Sequence, residues 1–282
     1  MNTASTAPGT TAPSTERATR QAEVVQALLQ HLPAHALLWH TEDTTPYECD
    51  GLTAYRQRPL VVALPETEAQ VQAVLRACHR LGVPVVARGA GTGLSGGALP
   101  HALGVTLSLA KFNQILSLDP VSRTARVQCG VRNLAISEAA APYGLYYAPD
   151  PSSQIACTIG GNIAENSGGV HCLKYGLTVH NVLRVRGFTA EGEEVTFGSE
   201  ALDAPGYDLL AAVIGSEGML AVALEVTVKL VPKPQLARCI MASFDDVRKA
   251  GDAVAAVIAA GIIPAGLEMM DKPMTAAVED FV

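Results

Sequence analysis

The residues best suited to chemistry lie in one glycine-rich stretch, which runs from Arg88 to Gly97 and reads Arg-Gly-Ala-Gly-Thr-Gly-Leu-Ser-Gly-Gly. It directly follows the apolar run 83–87, and five of its ten residues are glycine. Because glycine lacks a Cβ, such a chain can adopt positive φ and lay its backbone against a ligand. Successive backbone N–H groups can then converge on an anion, typically the diphosphate of a dinucleotide. We therefore interpret the stretch as a phosphate-binding loop rather than a flexible linker.

This glycine loop fits neither of two common nucleotide-binding motifs. Residues 91–96 spell G-x-G-x-x-G, but a Rossmann loop opens a helix whose N-terminus holds the diphosphate. Here proline and glycine interrupt residues 99–104, and residues 105–109 have the pattern of a strand. A P-loop is excluded because Gly97, rather than lysine, follows Gly96. The sequence therefore predicts a glycine loop that joins two strands.

A second glycine-rich segment spans residues 158–169 and contains two Gly-Gly pairs and two asparagines. Asparagine tolerates the left-handed conformation and can hydrogen-bond the backbone or the amide-like edge of a flat heterocycle. One such segment alone would be typical of ordinary turns. Two glycine-rich segments in one domain instead indicate a long ligand that lies along both. A third glycine turn is expected at residues 215–220.

Around these segments the apolar pattern predicts alternating strands and helices. Residues 60–64 and 83–87 are expected strands on either side of a helix that a Thr67–Gln70 capping box starts and Gly82 ends. Further strands are predicted at 105–109 and 123–129, at 182–189 and 194–197 as a hairpin, and at 221–230 with alternate side chains on one face. Further helices are predicted at 21–32, 133–143 and 208–214. Beyond a stiff linker at 232–234, a strand (237–244), a helix (245–260) and a strand (262–270) are expected to open a second domain.

Composition narrows the class of protein. The chain has 282 residues, 49% of them hydrophobic, and a net charge of −7, which fits one large or two smaller domains and argues against nucleic acid as a partner. Its six cysteines are scattered without a C-x-x-C pair, so we expect reduced thiols in a cytoplasmic protein. No apolar run predicts a transmembrane segment, and no spacing of residues predicts a metal site. Residues 1–18 have the composition of a disordered tail.

The three glycine segments together resemble the FAD-binding domain of the vanillyl-alcohol-oxidase, or PCMH-type, flavoproteins. The similarity runs from about residue 56 to residue 234. Two flanking runs, Pro46–Gly51 and Gly266–Asp271, narrow it to the large flavin subunits of bacterial glycolate oxidases, also called glycolate dehydrogenases. The resemblance implies an α+β fold. A helical segment at 19–55 would precede a two-lobed FAD-binding domain at 56–234, and 235–282 would be the start of a ferredoxin-like α/β cap domain, truncated.

The resemblance also implies a set of FAD-binding residues. The first loop would wrap the FAD diphosphate through its backbone amides: Arg88, Gly89, Ala90, Gly91, Thr92, Gly93, Leu94, Ser95, Gly96 and Gly97. Residues in and before the second segment would line the flavin: Pro149, Asp150, Cys157, Thr158, Gly161, Asn162, Asn166, Gly168 and Gly169. The third turn would contact the adenosine half or the ribityl region through Gly215, Glu217 and Gly218. Some relatives tether FAD through a histidine in the first loop, and because this loop has none, we expect non-covalent FAD.

By the same resemblance, the activity is oxidation of a small 2-hydroxy acid, glycolate or D-lactate, to the 2-keto acid, with hydride transfer to flavin N5. The implied partners are a second flavin-domain subunit and an iron–sulfur subunit, through which a cytoplasmic protein could associate with a membrane. D-2-hydroxyglutarate is an alternative substrate, and a non-catalytic FAD-binding subunit is an alternative role. A nicotinamide-binding protein is disfavoured because no helix is predicted after Gly97.

No catalytic residue is assigned from this sequence. Related D-2-hydroxy-acid dehydrogenases place metal-binding histidines and basic residues after the cap, in a part that this sequence does not contain. His171 and Lys174 lie next to the second glycine segment and could reach a pocket, although a surface or packing role is favoured for each. Because the second domain stops after one strand–helix–strand unit, we expect a fragment that binds FAD weakly and does not turn over substrate.

Overall fold

The computed structural model describes residues 14–199 and 206–281. Its helices are α1 (Ser14–Leu29), α2 (Thr41–Thr44), α3 (Glu68–Leu81), α4 (Asn133–Ala140), α5 (Ile159–Glu165), α6 (Cys172–Tyr175), α7 (Thr178–Asn181), α8 (Leu209–Val213), α9 (Val247–Ala259) and α10 (Lys272–Phe281). Its strands are β1 (Leu37–Leu38), β2 (Val61–Ala63), β3 (Val85–Arg88), β4 (Val105–Ser108), β5 (Ile115–Asp119), β6 (Thr124–Gln128), β7 (Leu145–Tyr146), β8 (Val182–Phe188), β9 (Glu194–Gly198), β10 (Val222–Lys229) and β11 (Val231–Pro232).

The described residues form two compact units. The first unit comprises residues up to 112 together with 187–195 and 218–224, and the second comprises the remainder. Each unit combines helices with β-structure, which confirms the predicted α+β class.

The first unit is built on a four-stranded sheet of order β1-β2-β4-β3. Strands β2 and β3 both pair with β4 in parallel, while β1 pairs with β2 antiparallel. The predicted strand–helix–strand is confirmed, because α3 follows β2 and leads into β3. Thr67 and Gln70 form the predicted capping box at its start, and Gly82 ends it in the left-handed conformation with φ of 60°.

The first helix also belongs to this unit. The side chains of Val24 and Leu28 are almost fully buried, and Gln21 Nε2 donates to the carbonyls of Trp39 at 3.0 Å and Leu60 at 2.7 Å. Helix α1 begins earlier than the predicted residue 21, so the predicted disordered tail is wrong for residues 14–18. The rest of that tail, residues 1–13, lies outside the described residues.

A five-stranded sheet of order β5-β6-β10-β8-β9 contains the predicted strands at 123–129 and 221–230 and the predicted hairpin at 182–197. In the second unit β6 pairs antiparallel with both β5 and β10. Side chains of β10 alternate between buried and half-exposed, as predicted. Strand β5 was not predicted. Strand β11 pairs with β7, so the predicted linker at 232–234 begins within a paired strand.

Helix α5 was not predicted either, because its sequence contains Gly160 and Gly161, and glycine disfavours helix interiors. Contacts with neighbouring segments stabilise the helix. The amides of Ile159 and Gly160 donate to the carbonyls of Val131 at 2.9 Å and Cys129 at 2.8 Å. A Cβ on Gly160 would lie 2.8 Å from Cys129 Cβ, so glycine is needed for this close approach.

After residue 234 the structure contains helices α9 and α10, of which α9 matches the prediction. The two strands predicted at 237–244 and 262–270 do not form. Their apolar residues, such as Ile240 and Met241, each 92% exposed, have no partner strand within the described ranges, and an unpaired strand gains neither ladder bonds nor burial. Of the helices between residues 14 and 281 that the structure describes, none is both long and apolar enough for a membrane crossing.

Candidate functional site

The first glycine loop connects β3 to β4 in the first unit, and no described helix lies between them, as predicted. The two strands pair in parallel up to Arg88 and Ser108, so the loop leaves the carboxyl end of β3. Gly91 and Gly96 have φ of 69° and 82°, in the left-handed region that glycine adopts without strain. The loop therefore owes its turns to these two glycines.

The backbone amides of this loop are open. From Gly89 to Ala98, none of the N–H groups donates to an acceptor in the part of the chain that the structure describes. Leu94, near the middle of the loop, is 71% exposed. Backbone N–H groups of native proteins are paired with protein, water or ligand. A run of open amides on glycine-rich backbone is therefore suited to an anion.

The Arg88 side chain, at the start of the loop, bonds to protein carbonyls. Its Nη1 donates to Cys49 O at 2.9 Å and to Ala98 O at 3.4 Å, and the guanidinium lies 5.6 Å from the centre of the Tyr47 ring. Burial lowers the pKa of Arg88, while the Asp50 carboxylate acts in the opposite direction. The guanidinium thus ties the base of the loop to the segment Tyr47–Leu52, which we call the brace.

The brace also contacts the loop through its glycine. A Cβ on Gly51 would lie 2.8 Å from Gly93 O and 2.9 Å from Thr92 O, so the two backbones pack without a side chain between them. In the sequence this segment indicated only the family resemblance, and its position beside the loop was not predicted. The available signal was the Asp-Gly pair at 50–51, which is typical of a turn.

The predicted third glycine turn adopts left-handed backbone at Gly215 (φ 91°), Glu217 (φ 53°) and Gly218 (φ 75°). In the second unit, Gly215 N donates to Ile163 O at 2.7 Å and Glu217 N donates to Ala164 O at 2.8 Å. The start of the turn is therefore bound to the C-terminal half of α5.

In the second unit, two buried asparagines organise the residues around α5. Asn162 Nδ2 donates to Asn133 Oδ1 at 2.8 Å, and Asn133 Nδ2 donates to Pro149 O at 2.9 Å. Asn133 N also donates to Cys157 O at 3.0 Å. Three predicted site residues, Pro149, Cys157 and Asn162, are thereby brought together. Asn133 was missed, although a polar residue inside the buried face of a predicted helix was a usable signal.

The end of the second segment is equally constrained. Asn166 is left-handed with φ of 49°, and its Oδ1 accepts a hydrogen bond from Val179 N at 3.0 Å. A Cβ on Gly168 would lie 2.5 Å from both Cys172 Sγ and Leu177 Cδ2. Glycine at 168 is therefore required by packing.

Asp150 and Gly169 also meet in the second unit, because a Cβ on Gly169 would overlap the Asp150 carbonyl group. The Asp150 carboxylate accepts from His171 N at 3.3 Å, and its Oδ2 lies 2.6 Å from His171 Nδ1. His171 is therefore held by a predicted site residue, which the sequence alone did not indicate.

One predicted residue in this unit keeps an unused polar atom. Thr158 Oγ1 is buried and has no hydrogen-bond partner within the described ranges, and a Cβ on Gly161 would lie 3.6 Å from it. Beside it, burial raises the pKa of the Cys157 thiol. A neutral thiol, a free hydroxyl and a glycine surface suit the edge of a flat, uncharged ring better than an anion.

The two regions thus fit the two chemistries of a flavin dinucleotide, an anionic diphosphate and a flat heterocycle. Among the described residues, no group of three or more His, Cys, Asp and Glu side chains is arranged to hold a metal ion.

Two family models match the chain. One, described as an FAD binding domain, matches residues 59–198, and the other, described as the C-terminal domain of FAD linked oxidases, matches residues 233–282. The chain belongs to the FAD-linked oxidase family, with an FAD-binding domain of the PCMH type.

The particular relatives confirm the predicted resemblance. The chain is 64% identical over 259 residues to "Glycolate oxidase subunit GlcD" of Escherichia coli K12, covering 92% of this chain and 52% of that protein. It is 42% identical over 236 residues to the subunit of the same name from Bacillus subtilis, covering 83% of this chain and 50% of that protein. The chain spans about half the length of the curated relatives it matches.

Solved structures confirm the fold. An alkyldihydroxyacetonephosphate synthase aligns with a TM-score of 0.73 at 20% sequence identity, covering 87% of this chain and 47% of that one. Phl p 4, a grass pollen allergen with glucose dehydrogenase activity, aligns with a TM-score of 0.64 at 21% identity, covering 75% and 44%. At this identity the likeness concerns the fold alone.

Proposed function

We propose that this chain is the FAD-binding part of a dehydrogenase that oxidises a small 2-hydroxy acid, glycolate or D-lactate, to the 2-keto acid. The observation that carries the proposal is the run of open amides on the first glycine loop. It occurs in a chain that is 64% identical to a glycolate oxidase subunit.

The site residues are assigned to different parts of FAD. The open amides of 89–97 would hold the diphosphate, with Arg88 fixing the base of the loop. Residues 149–169 would line the flavin, where Thr158 Oγ1 is available for a polar atom of the ring. Gly215, Glu217 and Gly218 would contact the adenosine half or the ribityl chain. The FAD-binding domain is proposed at 56–234 and the cap at 235–282.

When bound, FAD supplies the hydride acceptor at flavin N5. The assigned site residues would bind and orient it. Oxidation of a 2-hydroxy acid further requires a base for the hydroxyl proton and cations for the carboxylate. The proposal places neither role on the residues assigned to FAD.

Partners and location complete the proposal. Because the curated relative is named as a subunit, we propose that this chain is part of a complex. The resemblance to glycolate oxidases implies a second flavin-domain subunit and an iron–sulfur subunit, with electrons passed to a partner subunit or another acceptor. A cytoplasmic location, with any membrane association through those subunits, is supported by free cysteines throughout the described residues.

The test uses the full-length protein with its partner subunits. Glycolate, D-lactate and D-2-hydroxyglutarate are added separately under anaerobic conditions, and the visible flavin absorbance is followed. Bleaching by glycolate or D-lactate supports the proposal. Bound flavin that none of the acids bleaches would favour a non-catalytic FAD-binding subunit. Bleaching by D-2-hydroxyglutarate alone would favour the activity named for a 36% identical relative.

The mode of FAD attachment is tested on the same holo-protein. Because no histidine lies in the first glycine loop, acid precipitation should release all flavin into the supernatant as FAD. Yellow colour retained in the washed pellet would show a covalent link and contradict this expectation.

A further inference from the structure

One carboxylate oxygen in the first unit is buried beside the glycine loop without a partner. Asp50 is 5% exposed, and its Oδ1 accepts a hydrogen bond from Leu52 N at 2.9 Å. Its Oδ2 is buried and has no hydrogen-bond partner within the described residues. Buried polar groups in native proteins are nearly always paired, so this oxygen requires an explanation.

The residues on both sides of Asp50 are fixed against the loop. Before it, the Cys49 carbonyl accepts from Arg88 Nη1 at 2.9 Å. After it, Gly51 packs against the carbonyls of Thr92 and Gly93. Asp50 therefore cannot move away from the loop unless the brace detaches as a whole.

The neighbouring cation does not satisfy the oxygen by hydrogen bonding. Arg88 uses its Nη1 for the carbonyls of Cys49 and Ala98, although its charge still acts on Asp50 through space. A carboxylate oxygen accepts hydrogen bonds, so the missing partner of Asp50 Oδ2 must be a donor.

A donor is available in the proposed ligand of the loop. The diphosphate itself offers only acceptor oxygens, but it is flanked on both sides by sugar hydroxyls, on the ribose of the adenosine and on the ribityl chain of the flavin. We propose that Asp50 Oδ2 accepts a hydrogen bond from a sugar hydroxyl adjoining the FAD diphosphate. This inference rests on the proposed function, because it requires FAD in the first glycine loop.

The test compares Asp50→Asn with Asp43→Asn, a matched change at an exposed aspartate, in the full-length protein. With the amide oxygen still accepting from Leu52 N, the substitution places an NH₂ donor where Oδ2 was. FAD affinity of the apo-protein should fall about tenfold, the size of one charge-assisted hydrogen bond, and the control should match wild type. The melting temperature of the apo-protein should change little, because the substitution removes an oxygen without a hydrogen-bond partner and leaves the bonds of Arg88 to Cys49 O and Ala98 O in place.

Binding of ADP and of FMN then identifies the hydroxyl. Weaker binding of ADP alone assigns the ribose, and weaker binding of FMN alone assigns the ribityl chain. Unchanged FAD affinity in Asp50→Asn, with or without a lower melting temperature, overturns the inference and leaves Asp50 a structural residue. Retention of FAD by a Gly96→Val protein would instead overturn the assignment of the loop on which the inference rests.

Discussion

The two glycine-rich regions differ in how their polar groups are hydrogen-bonded. The first loop, 88–97, leaves its backbone amides open, and its turns depend on glycine backbone at Gly91 and Gly96. The second region, 149–169, is internally bonded through Asn133, Asn162 and Asn166, with glycines that allow close packing. An open loop gains its partners from a ligand, whereas a closed one presents a preformed surface. Substitutions should therefore affect binding in the first region and folding in the second.

The largest effect is expected for Gly96→Val in the first loop. A β-branched residue at φ of 82° is strained wherever it sits, even though the space around Gly96 is open. FAD affinity should fall by about 100-fold or more with little change in circular dichroism, because only the loop is displaced. Gly261→Val, at a glycine with φ of 75° and open space outside the assigned site, is the matched control. Normal flavin content in the valine variant would remove the loop from the diphosphate site.

The second largest effect is expected on the stability of the second region, not on its affinity for FAD. Asn133→Leu removes the partners of Pro149 O and Asn162 Nδ2 inside the buried network. We expect the free energy of unfolding of the apo-protein to fall by about 2–3 kcal/mol, as for buried groups left unpaired. Urea denaturation measures it, with Asn113→Leu at an exposed site as the control. Equal stability of the two variants would show that the second region is not held by this network.

A smaller effect is expected at Thr158, whose buried hydroxyl has no hydrogen-bond partner among the described residues. Thr158→Val keeps the shape of the side chain and removes the buried Oγ1. Stability of the apo-protein should be unchanged or higher, while FAD affinity should fall about fivefold, which is about 1 kcal/mol. Isothermal titration of FAD into apo-protein measures this. A stability loss with unchanged affinity would place Thr158 with the structural asparagines.

The smallest effect concerns pH. Burial raises the pKa of the Cys157 thiol above its ordinary value, so the folded protein keeps this thiol protonated where an exposed thiol would ionise. Since the unfolded chain loses that proton first, the contribution of Cys157 to stability is lost as pH rises through the folded pKa. Iodoacetamide at mildly alkaline pH should label exposed Cys239 much faster than Cys157, as followed by peptide mass spectrometry. Equal labelling would show that the region is open.

The parts of the fold that sequence patterns predicted are those determined locally. The capping box of α3, the glycine that ends it and the alternation along β10 each depend on neighbouring residues, and each was found where predicted. Helix α5 was missed because tertiary bonds from Ile159 and Gly160 outweigh the poor helix propensity of its glycines. The predictions of strands at 237–244 and 262–270 were wrong, because an apolar pattern alone does not supply a partner strand.

The candidate site likewise has features that depend on local sequence and features that depend on contacts between distant residues. Glycine spacing predicted turns in both regions, because positive φ and close backbone packing depend on residue type. Asn133 and the brace were missed because their contacts to the site join positions distant in sequence, such as Cys49 to Arg88 and Asn133 to Asn162. The direction of the Arg88 side chain was likewise a tertiary property that the loop sequence did not contain.

The exposed tip of the first loop also affects how readily the protein is degraded in a cell. A loop whose backbone amides have no protein partner is accessible to proteases when flavin is scarce, and Leu94 at its centre is 71% exposed. Bound ligand stabilises the folded state by mass action, which lowers the fraction available for degradation. The abundance of this protein should therefore follow the supply of flavin in the cell, with newly made chains surviving according to how quickly they are filled.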